Sequence, residues 1–107
     1  MTLDAYAAIR RVIHDNFNDP ETPFTNDQVL DVMKREGYVG DSVTIDDVAD
    51  DFERVRRSGL ARHIAQNFTT IWLKLFDRVE QAECTSCGVV HLGRQEGRAC
   101  PVCGGDL

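Results

Sequence analysis

Cys84, Cys87, Cys100 and Cys103 are the four cysteines of this 107-residue chain. They form two Cys-x2-Cys pairs with twelve residues between them, at 88–99. That spacing is close to the one expected of a four-thiolate zinc site, in which each pair makes a tight knuckle. Gly88 and Gly104 follow the two pairs, where the backbone must turn without a Cβ clash, and Pro101 stiffens the second knuckle. Four sulfurs complete a tetrahedron and leave no open position, so the expected centre is structural rather than catalytic. Two disulfides are the competing reading, and a reducing compartment argues against them. A thioredoxin-like dithiol is also disfavoured, since that motif stands once at a helix N-terminus rather than as two facing pairs. His91 lies inside the same segment, but with four sulfurs filling the site it reads as a surface strand histidine.

A second set of residues has the chemistry for nucleic acid. Net charge is −6, which by itself argues against such a partner, but the charge is unevenly placed. Residues 1–53 carry four basic and thirteen acidic side chains (−9), and residues 54–107 carry eight basic and five acidic (+3). The stretch from Thr44 to Asn67 resembles a helix-turn-helix, with Ser58 capping a recognition helix. Arg62, His63, Gln66 and Asn67 then offer hydrogen-bonding groups to base edges, and Arg54, Arg56 and Arg57 offer charge to phosphates. The competing reading is an ordinary solvated helix face. No Ser/His/Asp set, phosphate-binding glycine loop or His-Glu-x-x-His motif occurs, so no enzyme is expected.

The elements that must position these residues read as mainly α. Tyr6, Ile9, Val12, Ile13 and Phe17 give a helix over about residues 3–17, ended by the Asn18–Pro23 stretch with its two prolines. Thr25 and Gln28 form a capping box for a second helix, with Phe24 stapled to Val29 and Gly37 as its stop. Thr44 caps a third helix, with Val43 stapled to Val48 and Ser58-Gly59 as its break. Leu60, Ile64, Phe68, Ile71, Leu75 and Val79 step at helical intervals, which predicts one long fourth helix from Leu60 to Gln81. The β-branched Thr69-Thr70-Ile71 patch leaves room for a strand or a break there. Between the knuckles, Val89–Leu92 is strand-like, residues 93–97 turn, and Arg98-Ala99 return as the second arm of a short hairpin. The expected organisation is a four-helix, helix-turn-helix or winged-helix-like domain over 1–81 and a small four-cysteine zinc ribbon over 82–107. With so few residues for a core, the ribbon must rely on its metal to fold.

The order of a helical domain and a terminal ribbon with Cys-x2-Cys-Gly-x-Val and Cys-Pro-x-Cys resembles small archaeal-type transcriptional regulators. In these a winged helix is fused to a rubredoxin-like zinc ribbon. The resemblance implies Zn2+ at Cys84, Cys87, Cys100 and Cys103, and contact with double-stranded DNA through the helix after Ser58. It also implies that Arg94 and Arg98 reach backbone phosphate from the ribbon. Iron fits the same four-sulfur cage, but rubredoxin has a longer segment between knuckles, with packed aromatics that 88–99 lacks.

The leading expectation is therefore a DNA-binding transcriptional regulator. The alternative is a protein-interaction adaptor, docking a partner or a second copy through the ribbon or through the aromatic face of the long helix, Phe68, Trp72 and Phe76. No run of eighteen apolar residues is present to span a membrane. The opening segment lacks the basic and apolar stretches of a signal peptide, so a cytoplasmic location is expected.

Overall fold

The structure is a computed structural model and describes residues 4–67, 70–105 and 107. Helix α1 runs Ala5–Asn16, opened by the Asp4 carboxylate, which accepts from the Ala7 amide at 2.8 Å. It buries Tyr6, Ala8, Ile9, Val12 and Ile13. After it, Asp19 accepts from the Glu21 amide and the Thr22 hydroxyl, a side-chain-locked turn that carries the chain past Pro20. Strand β1 (Phe24–Thr25) leads directly into α2 (Asn26–Arg35). The capping box forms as expected: Gln28 N donates to Thr25 Oγ1 at 3.1 Å, and Thr25 N donates to Gln28 Oε1 at 2.9 Å.

Thr44 makes a reciprocal pair with Asp47, but the chain enters a short 3-10 turn (Asp46–Val48) before α3, Ala49–Ser58. Gly59 ends α3 at φ +94°, a left-handed value that suits glycine.

The region from Leu60 to Gln81 is not a helix. It forms β2 (Ala61–Gln66), β3 (Ile71–Leu75) and the start of β4 (Val79–Cys84). Strands β1, β3 and β2 make one antiparallel sheet in that order, with Phe24 opposite Leu73 and Ala61 opposite Leu75. The physical reason is alternation: Leu73 and Leu75 are buried while Trp72 and Phe76 face out, a period of two that the steps of three and four had masked. Ile64, assigned to the buried stripe from sequence, is exposed, and the pairing slips by a bulge between His63 and Ala65. Phe68 and Thr69 lie outside the described residues. The chain is thus mixed α/β, with three α-helices and two antiparallel sheets among the described residues, and not a mainly α four-helix domain.

The main core joins both helical and strand residues: Ile9, Ile13, Phe24, Val29, Met33, Phe52, Val55, Leu60, Leu73 and Leu75. Each such side chain contributes roughly 1.5–3 kcal/mol by leaving water. The second sheet is the hairpin β4–β5, with β5 at Gly88–Gly93. Its turn is the first knuckle, because Cys84 pairs with Gly88. The hairpin expected between the knuckles is corrected here: Val89–Leu92 is a strand, but its partner precedes the knuckle.

Several contacts hold this hairpin to the helical domain. Asn18 bridges the backbone of Val79, donating to its carbonyl at 2.9 Å and accepting from its amide at 2.6 Å. Gly93 lies so close to Leu60 that a Cβ there would meet Leu60 Cδ1 at 3.1 Å. Arg10, buried on α1, donates from Nε to the His91 carbonyl at 2.7 Å and pairs with Glu96.

Candidate metal centre

The tertiary fold brings the four sulfurs together within 4.8 Å of one another. Cys84 comes from the end of β4 and Cys87 from the knuckle turn. Cys100 and Cys103 come from the turn after Ala99. That second turn is closed by backbone bonds, Cys100 N to Gly105 O at 2.7 Å and Gly104 N to Cys100 O at 2.8 Å. Gly104 sits at φ +80° and Gly88 at φ +81°, left-handed positions at the ends of the knuckles.

Cys84 Sγ and Cys103 Sγ lie 3.6 Å apart. A disulfide needs about 2.05 Å. A tetrahedron with bonds of about 2.3 Å to zinc needs an edge of about 3.8 Å. The four cysteines are free thiols and their spacing fits a metal ion rather than a pair of bridges. Cys84 and Cys100 are buried with Val90, against Ala82 and Val102, so the centre stands in place of a hydrophobic core. The amides of Cys87 and Ser86 point at Cys84 and lower its thiol to about 7. Cys87 is pushed up, by its hydrogen bond with Cys103 and by burial. Thiols this close ionise together when a cation offsets their mutual repulsion.

The residues expected to contact DNA are not gathered on one helix. Arg54, Arg56 and Arg57 lie on α3, and each is paired on that helix. Arg54 lies 3.9 Å from Asp51 with its guanidinium over the Tyr6 ring, Arg56 pairs with Glu53, and Arg57 lies 3.3 Å from Glu53. The N-terminal half of α3 and the turn before it carry Asp46, Asp47, Asp50 and Asp51. Arg62 and His63 are exposed on β2, and Gln66 ends that strand, with its side chain outside the described residues. Asn67 turns the chain by accepting from the Thr70 amide at 2.8 Å. Arg94, 3.8 Å from Asp77, and the exposed Arg98 follow β5.

Sequence reasoning missed Arg10 and Glu96. The available signal was position: Arg10 falls on the same helix face as Tyr6 and Ile13, where an unpaired charge would be costly. It also missed the outer sheet face. Trp72 and Phe76 were expected on a helix, yet Trp72 stands on β3 and Phe76 just past its end, where the Arg62 guanidinium lies 5.6 Å from the Phe76 ring. No helix among the described residues is long and apolar enough to cross a membrane. Compared with protein-family models, curated proteins and solved structures, the chain matches none.

Proposed function

We propose that the chain is a zinc-ribbon interaction module that docks an acidic protein surface on the outer face of the β1–β3–β2 sheet. Zinc is the ion of choice for four thiolates in a closed tetrahedron, where its role is to fold the ribbon. The observation that carries the docking reading is the patch of Ile64, Trp72 and Phe76, which remain 45 %, 39 % and 46 % exposed. Arg62 and Lys74, paired across β2 and β3, border it. Aromatic and Arg side chains are the types that concentrate binding energy at protein interfaces. Apolar rings bordered by cations suit a partner that brings apolar side chains flanked by carboxylates.

Photo-crosslinking from position 72 tests this. With benzoylphenylalanine in place of Trp72, ultraviolet light applied to living cells is expected to join the chain to a protein. The same probe at Glu36, beyond the end of α2, is expected to give no such adduct. Adducts to nucleic acid alone, or none from either position, would sink the reading.

A second reading has its own support. The order helix, strand, helix, helix, strand, strand, with the sheet order β1-β3-β2, resembles a winged helix, with β2–β3 as the wing. This is a fold-level analogy. It favours double-stranded DNA as partner, with Arg62 and Lys74 on the wing facing phosphate, while the acidic start of α3 and its paired arginines oppose major-groove entry. Fluorescence anisotropy of zinc-loaded protein with duplex DNA, from low to molar salt, separates the two. Affinity falling linearly with log salt, with a slope shallower by about one unit in Arg62→Gln, supports DNA. Absence of binding at low salt removes it.

A further inference from the structure

His14 and Asp15 stand in the last turn of α1, and His91 stands in the middle of β5. Docking of the ribbon on α1 brings them together, with one ligand atom from each lying within 4.8 Å of the others. The two imidazole rings are 4.7 Å apart, centre to centre. We propose that these residues form a second metal site, distinct from the four cysteines, which takes a borderline dication such as Zn2+ with His14 and His91 as ligands and Asp15 as the positioning carboxylate.

Three features of the site support this. First, His14 Nδ1 lies 2.7 Å from Asp15 Oδ1. A carboxylate there accepts a hydrogen bond from Nδ1–H, which fixes the tautomer and leaves Nε2 with a lone pair, the arrangement that commonly orients metal-bound histidines. Second, His91 is buried where the ribbon packs on α1, so its ring is held in place opposite that of His14. Third, both α1 residues sit at a helix C-terminus, where the backbone dipole favours a cation.

Binding an ion draws together ligand atoms that lie within 4.8 Å of one another. Two nitrogens bound tetrahedrally at about 2.0–2.1 Å from an ion lie about 3.4 Å apart. The His14 side chain, 25 % exposed, has room to close the difference. The opposing charges are Arg10 and Arg11. Arg10 is already neutralised by Glu96, and the half-exposed Arg11, 3.6 Å from Asp15, can swing into solvent. Two imidazoles, with water completing the shell, select the nitrogen-preferring ions Zn2+, Ni2+ and Cu2+ over Mg2+ or Ca2+. The site is more weakly held than the thiolate cage, and an ion in it ties the end of α1 to the ribbon. The inference stands independently of which partner the sheet face binds.

The test uses the full chain carrying one equivalent of Zn2+, which the thiolates hold. A second equivalent of Zn2+ is added while bound zinc is counted by native mass spectrometry and the imidazole nitrogens are followed by NMR. A second ion is expected, with the resonances of His14 and His91 shifting and those of His63 unmoved. His14→Gln alters a partly exposed position; it is expected to keep the first ion and lose the second. Asp15→Asn is expected to weaken the second ion by roughly tenfold or more through loss of orientation at Nδ1. The proposal is overturned if only one zinc binds, if His63 responds as His14 does, or if His14→Gln retains the second ion.

Discussion

Arg10 on α1 and Glu96 beyond β5 form an ion pair whose side chains are 1 % and 5 % exposed. The same guanidinium donates to the His91 carbonyl at 2.7 Å and to the Tyr6 hydroxyl at 3.0 Å. One charged side chain thus gathers the helix, the hairpin and the 3-10 turn after β5 into a single hydrogen-bonded junction. Among the described residues no buried side-chain polar atom lacks a partner.

Removing one member of that pair leaves a buried charge alone. Arg10→Ala is expected to cost about 3–5 kcal/mol, and the double variant Arg10→Met with Glu96→Gln to recover much of it. Urea unfolding of the zinc-loaded protein measures both. A single-variant loss below about 1 kcal/mol would mean water reaches the pair and screens it.

Loss of one thiolate should unfold the ribbon without unfolding the helical domain. Cys100→Ser is expected to abolish tight zinc binding and to expose the β4–β5 amides to hydrogen exchange. The amides of α2 and β3, held by the separate core around Leu73, should stay protected. Chelation of the wild-type protein should reproduce the pattern.

The Asn18 bridge holds the first residue of β4 through two bonds to Val79. Asn18→Ala leaves a half-buried amide and carbonyl without those partners, and a loss of about 1–3 kcal/mol is expected. Asn18→Asp should restore the accepting half alone. Thermal unfolding of the three proteins side by side gives the ranking.

His91 makes stability depend on pH. Its folded value of about 4 lies below the ordinary 6.5, because burial disfavours the charged ring and His14, Arg11 and Arg10 repel it, against the opposing pull of Asp15. The unfolded chain therefore binds the extra proton first. The contribution is complete above pH 6.5 and is lost as pH falls from there through 4. After allowance for partial exposure the loss is on the order of 1–2 kcal/mol. Wild type should lose stability faster than His91→Gln over this range, measured by urea midpoints; parallel curves would rule the histidine out.

Adjacent residues of β3 should behave oppositely. Leu73→Ala is expected to cost about 2–5 kcal/mol as a core cavity. Trp72→Ala, on the exposed side, should change stability far less and instead remove partner capture at the sheet face. Urea midpoints check the first contrast. Photo-crosslinking from position 76 in the Trp72→Ala background checks the second.

Some of this was legible in the residues themselves. Thr25 with Gln28 announced the start of α2, because a capping box is satisfied by neighbours three residues apart and needs no tertiary contact. Gly59 marked the end of α3 for the same local reason. The apolar steps of three and four in Leu60–Gln81 read as a helix but also fit strands joined by turns. Only the inward placement of Leu73 and Leu75 against Phe24 and Ala61 decides between the two periods.

The metal centre and the charges show the same division. Two Cys-x2-Cys pairs determine a four-sulfur cluster because each knuckle is a short-range turn, and four thiols near each other have few other uses. The pairing of Arg54, Arg56 and Arg57 on their own helix is likewise local, three or four residues apart, whereas which strand closes the hairpin and where Arg10 finds Glu96 were decided by tertiary structure. The reason is physical: ligand spacing and caps are properties of adjacent residues, whereas burial, long-range charge pairing and sheet register depend on which distant surfaces meet when the core closes.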